Sequence, residues 1–179
     1  MKTIFVDVDS QLDFLYPAGA LYVPGAERIV PAIARLNRHA AAHGIPVIST
    51  ADAHSEDDPE FAQWPPHCIA GTTGQHKAES TLLEGAQQII VEKQTVDVFR
   101  APNLARAIER LGGDRFVVYG VVTEICVLYA VRGLLKAGGQ VVVVTDAVQT
   151  LNAGDGQRAL DEMCAAGAAL ATVSEICAG

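Results

Sequence analysis

Short apolar runs rich in Val and Ile alternate along the chain with segments in which apolar residues recur every three or four positions. The runs at Thr3–Val8, 45–50, 88–92, 115–119 and 140–145, and a weaker one at 168–173, read as strands. They are apolar at odd and even positions alike, so both faces meet protein, as in a parallel sheet covered on two sides. Between them, residues 27–43 carry Ile29, Ile33, Leu36 and Ala40 on one helical face, with Gly44 as the stop. Asn103 is placed to cap a second helix that buries Leu104, Ile108 and Leu111 and ends at Gly112. Thr123 is placed to cap a third, with Val127, Val131, Leu134 and Leu135 inward, and Asp155 a fourth, with Leu160, Met163 and Cys164 buried before Gly167. This alternation predicts one domain over residues 1–179, a three-layer α/β/α sandwich around a six-stranded, mostly parallel sheet with right-handed crossovers.

Composition narrows the function classes. Of 179 residues, half are hydrophobic and 19% are charged, a balance suited to one globular domain rather than a disordered chain. The 13 Lys and Arg against 21 Asp and Glu give a net charge of −8 with no basic cluster, which argues against a nucleic-acid partner. The longest stretch without a charged residue, 61–76, contains two prolines and several polar groups and is no membrane span. Asp7 interrupts the first apolar run too early for a signal peptide, so a cytoplasmic location is expected. Cys68, Cys126, Cys164 and Cys177 form no CxxC pair and read as free thiols.

In open parallel sheets, ligands bind beyond the carboxyl ends of the strands, so the residues just past each strand carry the chemistry. There the chain places Asp9 after the first strand, Lys93 after the third and Cys126 after the fourth. Each alone has a bland reading as a turn former, a surface cation or a small core residue; the three together form an acid, a cation and a thiol on one sheet edge. With Thr123 as cap, Cys126 falls in a first helical turn, where free N–H groups and the helix dipole favour thiolate and a lysine lowers the thiol pKa further. Asp9 can accept the thiol proton and return it to a leaving amine, and the helix start offers donors to an oxyanion. That is acyl transfer from a small amide. The long irregular segment 51–77, with Pro59, Pro65, Pro66, Gly71 and Gly74, holds a second set: Asp52, His54 and His67. One carboxylate and two imidazoles suit zinc, manganese or iron(II) with coordination positions left open; the bland alternative is a capping Asp and two surface histidines. Glu60 is the candidate fourth ligand, chosen from the acidic run at Glu56, Asp57, Asp58 and Glu60 because it lies nearest His67.

The pattern Asp9-x-Gln11-x-Asp13-Phe14, Asp52-x-His54, Pro65-Pro66-His67, Lys93 and Gly120-Val121-Val122-Thr123-Glu124-Ile125-Cys126-Val127 resembles the isochorismatase-like cysteine hydrolases, and within them the nicotinamidase branch, over nearly the whole chain. The resemblance implies a catalytic triad of Asp9, Lys93 and Cys126. It implies a divalent metal, most often zinc, on Asp52, His54 and His67, with Glu60 at the place some nicotinamidases use for a further ligand. It also implies a cis peptide at Val121–Val122 and an oxyanion hole from the N–H groups of Val122 and Cys126. Phe14, Trp64, Phe99 and Ile125 are the implied substrate pocket. The implied reaction converts nicotinamide to nicotinate and ammonia through a Cys thioester, a step of NAD salvage and pyridine nucleotide biosynthesis, in a homo-oligomer. A sister amidase acting on another small amide, carbamoyl or ureido compound shares the triad. Two features depart from the nicotinamidase pattern: residues 95–102 lack a glycine, and Ala53 stands where many of these enzymes have Trp.

Two other classes fit parts of the pattern. Asp7-Val8-Asp9 after an apolar strand is also how haloacid-dehalogenase-type phosphatases begin, but Gln11 and Thr145-Asp146-Ala147 do not supply the later residues that chemistry needs. A non-catalytic metal-binding module would leave the convergence of Asp9, Lys93 and Cys126 without a reason.

Overall fold

The computed structural model describes residues 1–85 and 88–178. Its elements are β1 (Thr3–Val8), α1 (Leu12–Leu15), α2 (Val30–Ala42), β2 (Val47–Asp52), β3 (Gln88–Lys93), α3 (Pro102–Leu111), β4 (Arg115–Val121), α4 (Leu128–Lys136), β5 (Gln140–Gln149), α5 (Ala153–Ala165), β6 (Ala169–Ala171) and α6 (Val173–Cys177). The six strands pair in the order β3-β2-β1-β4-β5-β6, and every pair is parallel. The sheet is therefore wholly parallel, where the sequence pattern left room for an antiparallel edge.

Alternation along β1 sorts the core into two layers. Ile4, Val6 and Val8 pack with Leu104 of α3, Val131 of α4 and Met163 of α5 on one face. Phe5 packs with Ile33 and Leu36 of α2 and Val173 of α6 on the other. Covering both faces is what allows β2 to be buried along its whole length. Among the described residues, no helix is long and apolar enough to cross a membrane.

Several boundaries differ from the sequence expectation for local reasons. Pro102 opens α3 after Ala101, so a proline at the first helical position, not an Asn103 cap, starts it. Asn152, not Asp155, caps α5; its side chain accepts the N–H groups of Gly154 and Asp155. Cys164 on that helix is exposed rather than buried, while Met163 is buried as expected and Ala159 joins it in the core. The last strand is only three residues long, because Thr172 and Glu175 form a reciprocal capping box that turns the chain into α6 at Val173.

The strand order places a topological switch point at the centre of the sheet. From β1 the chain builds outward through β2 and β3, then returns to the other side of β1 for β4, β5 and β6. The crevice past the carboxyl ends of β1 and β4 is thus the place where this topology leaves room for a ligand.

Candidate active site and metal centre

Asp9 is the residue just past β1, and Thr50 of the neighbouring strand fixes it. The Asp9 N–H lies 3.2 Å from both the carbonyl and the hydroxyl of Thr50, and the Thr50 hydroxyl donates back to Asp9 Oδ1 at 2.5 Å. Asp9 has φ 48°; among the described residues, Cys68 at φ 44° is the only other non-glycine with positive φ. Both sit at the candidate site, where backbone in a sparsely populated region commonly collects.

Cys126 enters from the end of β4. Gly120 makes that approach possible, since a Cβ there would lie 2.0 Å from the Val8 carbonyl oxygen of β1. The peptide between Val121 and Val122 is cis, as the resemblance implied. A π-helical turn (Thr123–Val127) then precedes α4, with Val122 in the capping position and no cap from the Thr123 side chain. Cys126 is therefore the fourth residue of the turn, one later than a Thr123 cap would give. The first bond of the turn's wide ladder runs from the Val127 N–H to the Val122 carbonyl at 3.1 Å, which leaves Cys126 at the open, amide-rich end.

Lys93, at the end of β3, joins the two. Its Nζ lies 2.9 Å from Asp9 Oδ2, out of line for a hydrogen bond but close enough for a strong ion pair, and 3.7 Å from Cys126 Sγ. It also donates to Asp52 Oδ1. All three groups of the triad are buried. Burial lowers the lysine's pKa, but the neighbouring carboxylates, Asp9 first and then Asp52, outweigh it, and the ammonium is held well above its ordinary range. Burial raises the Asp9 carboxyl, with Lys93 opposing, which makes it a better proton acceptor. Burial also pushes the Cys126 thiol well up; Lys93 pulls it down, but Asp9 and Asp52 add to the rise. The Lys93 ammonium, which favours thiolate, thus works against burial and two nearby carboxylates.

The second cluster lies against the first. Asp52, His54 and His67 are buried, and one ligand atom from each falls within 4.8 Å of the others. Asp52 Oδ2 is 3.8 Å from His54 Nε2 and 3.9 Å from His67 Nε2. The other nitrogen of each ring is engaged: His54 Nδ1 with Asp58 Oδ2 at 2.9 Å, and His67 Nδ1 with the Pro65 carbonyl at 2.8 Å. Outer partners of this kind turn the Nε2 lone pairs inward, and His54 Nε2 is a buried atom with no hydrogen-bond partner. These residues fit a divalent cation.

Glu60 is not a member of this three-residue set; it lines the pocket beside it, and burial raises its carboxyl while His54 opposes. Asp58 is the acid that reaches His54, a contact the sequence reading did not assign. Phe61 was missed altogether: its ring lies 5.4 Å from that of His54 and 5.7 Å from that of His67. A loop aromatic with no periodic neighbours carries no signal for such a contact.

The pocket above Cys126 is apolar. Phe14, Leu21, Val23, Trp64, Val96 and Ile125 line it, with Val121, Val122 and Leu151, and its polar members are Asp9 and Glu60. Phe14, Trp64 and Ile125 stand where expected, and Phe14 also lies 5.4 Å from the His67 ring. Phe99 does not line this pocket. Its ring packs on Gly133 of α4, where an added Cβ would come within 2.1 Å, and it lines a surface hollow with Tyr129 and Arg132. Phe99 lies in a short turn over residues 98–100, and Val96 is the residue of this segment that lines the pocket.

A parallel α/β sheet with a thiol, a carboxylate and an ammonium gathered at its switch point defines a class, the hydrolases that work from strand ends. The chain belongs to the isochorismatase family: the model of the Isochorismatase domain matches residues 3–175. The nicotinamidase of Escherichia coli (strain K12) is 26% identical, over 94% of this chain and 93% of that protein. The pyrazinamidase of Pyrococcus horikoshii, solved in complex with zinc, superposes with a TM-score of 0.89 at 29% identity, covering 96% of this chain and 99% of its own. The N-carbamoylsarcosine amidase of Thermoplasma acidophilum superposes with a TM-score of 0.85 at 25% identity, covering 97% of each.

Proposed function

We propose that this protein is a metal-dependent cysteine amidohydrolase of the nicotinamidase type, converting nicotinamide to nicotinate and ammonia in the cytoplasm. The observation that carries the reading is an apolar pocket lined by Cys126, Trp64 and Phe14, the last with its ring 5.4 Å from that of His67 in the Asp52, His54 and His67 cluster. A flat, neutral heteroaromatic amide suits such a pocket: its ring would lie among the apolar walls that include Phe14 and Trp64, with its carboxamide toward the thiol.

In the proposed reaction Cys126 holds its proton until substrate arrives. Asp9 accepts that proton as Sγ attacks the carboxamide carbon, and Lys93 keeps the carboxylate oriented and offsets charge on sulfur. The N–H groups of Val122 and Cys126 receive the oxyanion. Asp9 then protonates the departing ammonia, leaving a thioester on Cys126. Asp9 next takes a proton from water, which attacks the thioester and releases the acid with the thiol restored. Asp52, His54 and His67 would hold the divalent ion, which when bound would supply a Lewis acid for the ring nitrogen. Zinc is the proposed metal, supported by the zinc complex of the Pyrococcus horikoshii relative.

The likeness to an N-carbamoylsarcosine amidase supports a second reading, a carbamoyl or ureido substrate on the same triad. A carboxylate-bearing substrate of that kind calls for a cation in the pocket. Among the described residues lining it there is no Lys or Arg, and Glu60 adds negative charge. Ammonia release from nicotinamide, pyrazinamide and a panel of carbamoyl amino acids separates the readings: turnover of the first two supports the nicotinamidase type, and turnover confined to the panel overturns it.

A further inference from the structure

The segment carrying both histidines leaves the sheet at Asp52 and comes back at 75–77, and both ends converge on one buried side chain. Gln11 has no exposed surface. Its carboxamide accepts the Asp52 N–H at 2.7 Å and donates to the Asp52 carbonyl at 2.8 Å, pairing with that residue as a neighbouring strand would. The same amide donates to the Gln75 carbonyl at 2.7 Å, and the Leu12 N–H reaches the His76 carbonyl at 2.9 Å. All the hydrogen bonds the amide makes thus go to the start and the finish of one loop.

Asp13, two residues on, does the same for the loop's middle. Its Oδ2 accepts the Cys68 N–H at 2.7 Å, next to His67 in the chain, and its Oδ1 accepts the Ala20 N–H at 2.9 Å. Gly74 lies so close that a Cβ there would fall 2.2 Å from the carboxylate oxygens. The Cys68 backbone is held at φ 44°, an unusual conformation for a residue with a side chain. Neither Gln11 nor Asp13 belongs to the three-residue ligand cluster or lines the pocket above Cys126.

We propose that Gln11 and Asp13 are positioning residues for the metal site: Gln11 sets the backbone of Asp52, Asp13 sets the backbone after His67, and together they hold the ligands at the mutual spacing a divalent ion needs. The proposal rests on the reading of Asp52, His54 and His67 as metal ligands. It ties the metal centre to the same five-residue segment that begins with Asp9, so metal site and triad are indexed to one another through β1.

The test is zinc affinity, measured by competition with a chromophoric chelator on the full chain, for wild type, Gln11→Ala, Gln11→Glu and Asp13→Asn. Exposed Gln157→Ala serves as control. Gln11→Glu keeps the size and the acceptor for the Asp52 N–H but removes both donors, so it reads the proposal even where Gln11→Ala fails to fold. Loss of such outer partners weakens metal binding by about 10–100-fold, and that loss is expected for Gln11→Glu and Asp13→Asn at temperatures well below their unfolding midpoints. The thermal midpoint of the chelator-treated proteins separates this from general destabilisation, because a purely structural role would shift the midpoint and leave the affinity of the folded protein unchanged. Wild-type protein that takes up no zinc overturns the metal reading itself. Wild type that binds zinc, with folded Gln11→Glu and Asp13→Asn binding it equally well, overturns this proposal alone.

Discussion

Asp52 and Lys93 share a contact that joins the two halves of the site: Asp52 Oδ1 accepts from the Lys93 ammonium while Oδ2 faces His54 and His67 at 3.8 and 3.9 Å. Burial alone would raise this carboxyl, but Lys93 and His54 outweigh it and hold it below its ordinary range. One carboxylate therefore touches both the Asp9–Lys93 ion pair and the two histidines of the candidate metal site. Asp52→Asn is expected to lower both metal affinity and turnover, whereas His54→Ala leaves the Lys93–Asp9 pair intact. Saturating zinc should then restore part of the His54→Ala activity and little of the Asp52→Asn activity, as read from kcat across a zinc titration.

Cys126→Ala removes the nucleophile and is expected to abolish amide hydrolysis with an unchanged circular-dichroism spectrum. The proposed chemistry does not use the other thiols. Cys164 is exposed, and its replacement by Ala should change stability by no more than about 0.5 kcal/mol. Cys68 is buried, and burial pushes its thiol far above the ordinary range, so it should resist alkylation in the folded protein while Cys164 reacts first. Mass-spectrometric mapping of alkylated peptides reads the order.

A buried ion pair that the proposed chemistry does not use joins Lys77 to Asp7 of β1. Lys77 Nζ is 3.5 Å from Asp7 Oδ2 and donates to the Thr50 carbonyl at 3.1 Å; Asp7 also accepts from Ser49 and Asn37. Removing one partner of such a pair strands the other charge in a dry interior. Lys77→Met is expected to cost about 3–5 kcal/mol, measured by urea unfolding.

In the metal-free protein the His54 pKa is raised to about 9; burial opposes the rise, and the Asp52 and Asp58 carboxylates outweigh it. The sign follows from the raised value. The protonated imidazole stabilises the metal-free protein below its unfolded pKa of about 6.5, and that contribution is lost as pH rises through about 9. A cation at Nε2 must displace the proton, so metal affinity should climb with pH and level off above about 9. Calorimetry in buffers of different ionisation enthalpy should show proton release at pH 7 that His54→Ala loses.

Much of this was legible in the sequence because the strands are apolar runs with the reactive residues directly after them. Asp9, Lys93 and Cys126 are far apart in the chain but adjacent in space, since parallel pairing puts the ends of β1, β3 and β4 on one sheet edge. What was not legible depends on the third dimension. Asn152 rather than Asp155 caps α5 because only the backbone path decides which polar side chain meets the open N–H groups. Phe99 was assigned to the pocket from its place in a motif, but its ring follows the gap left by Gly133. The rise in the Cys126 pKa depends on how dry the site is and how many carboxylates share it, neither of which spacing reports.

The central claim, a thiol acting on an amide whose ring nitrogen is read by a metal, is tested most directly by comparing kcat/KM for nicotinamide and benzamide with the zinc-loaded protein. The two share shape and scissile bond and differ at the ring nitrogen. Phe14 and Trp64 can flank either ring, so the difference isolates that one atom. Loss of a dedicated polar contact can cost on the order of 10⁴-fold in specificity, and nicotinamide is expected to be preferred by a factor approaching that. Comparable values for the two amides, or no ammonia from nicotinamide at all, would contradict the account.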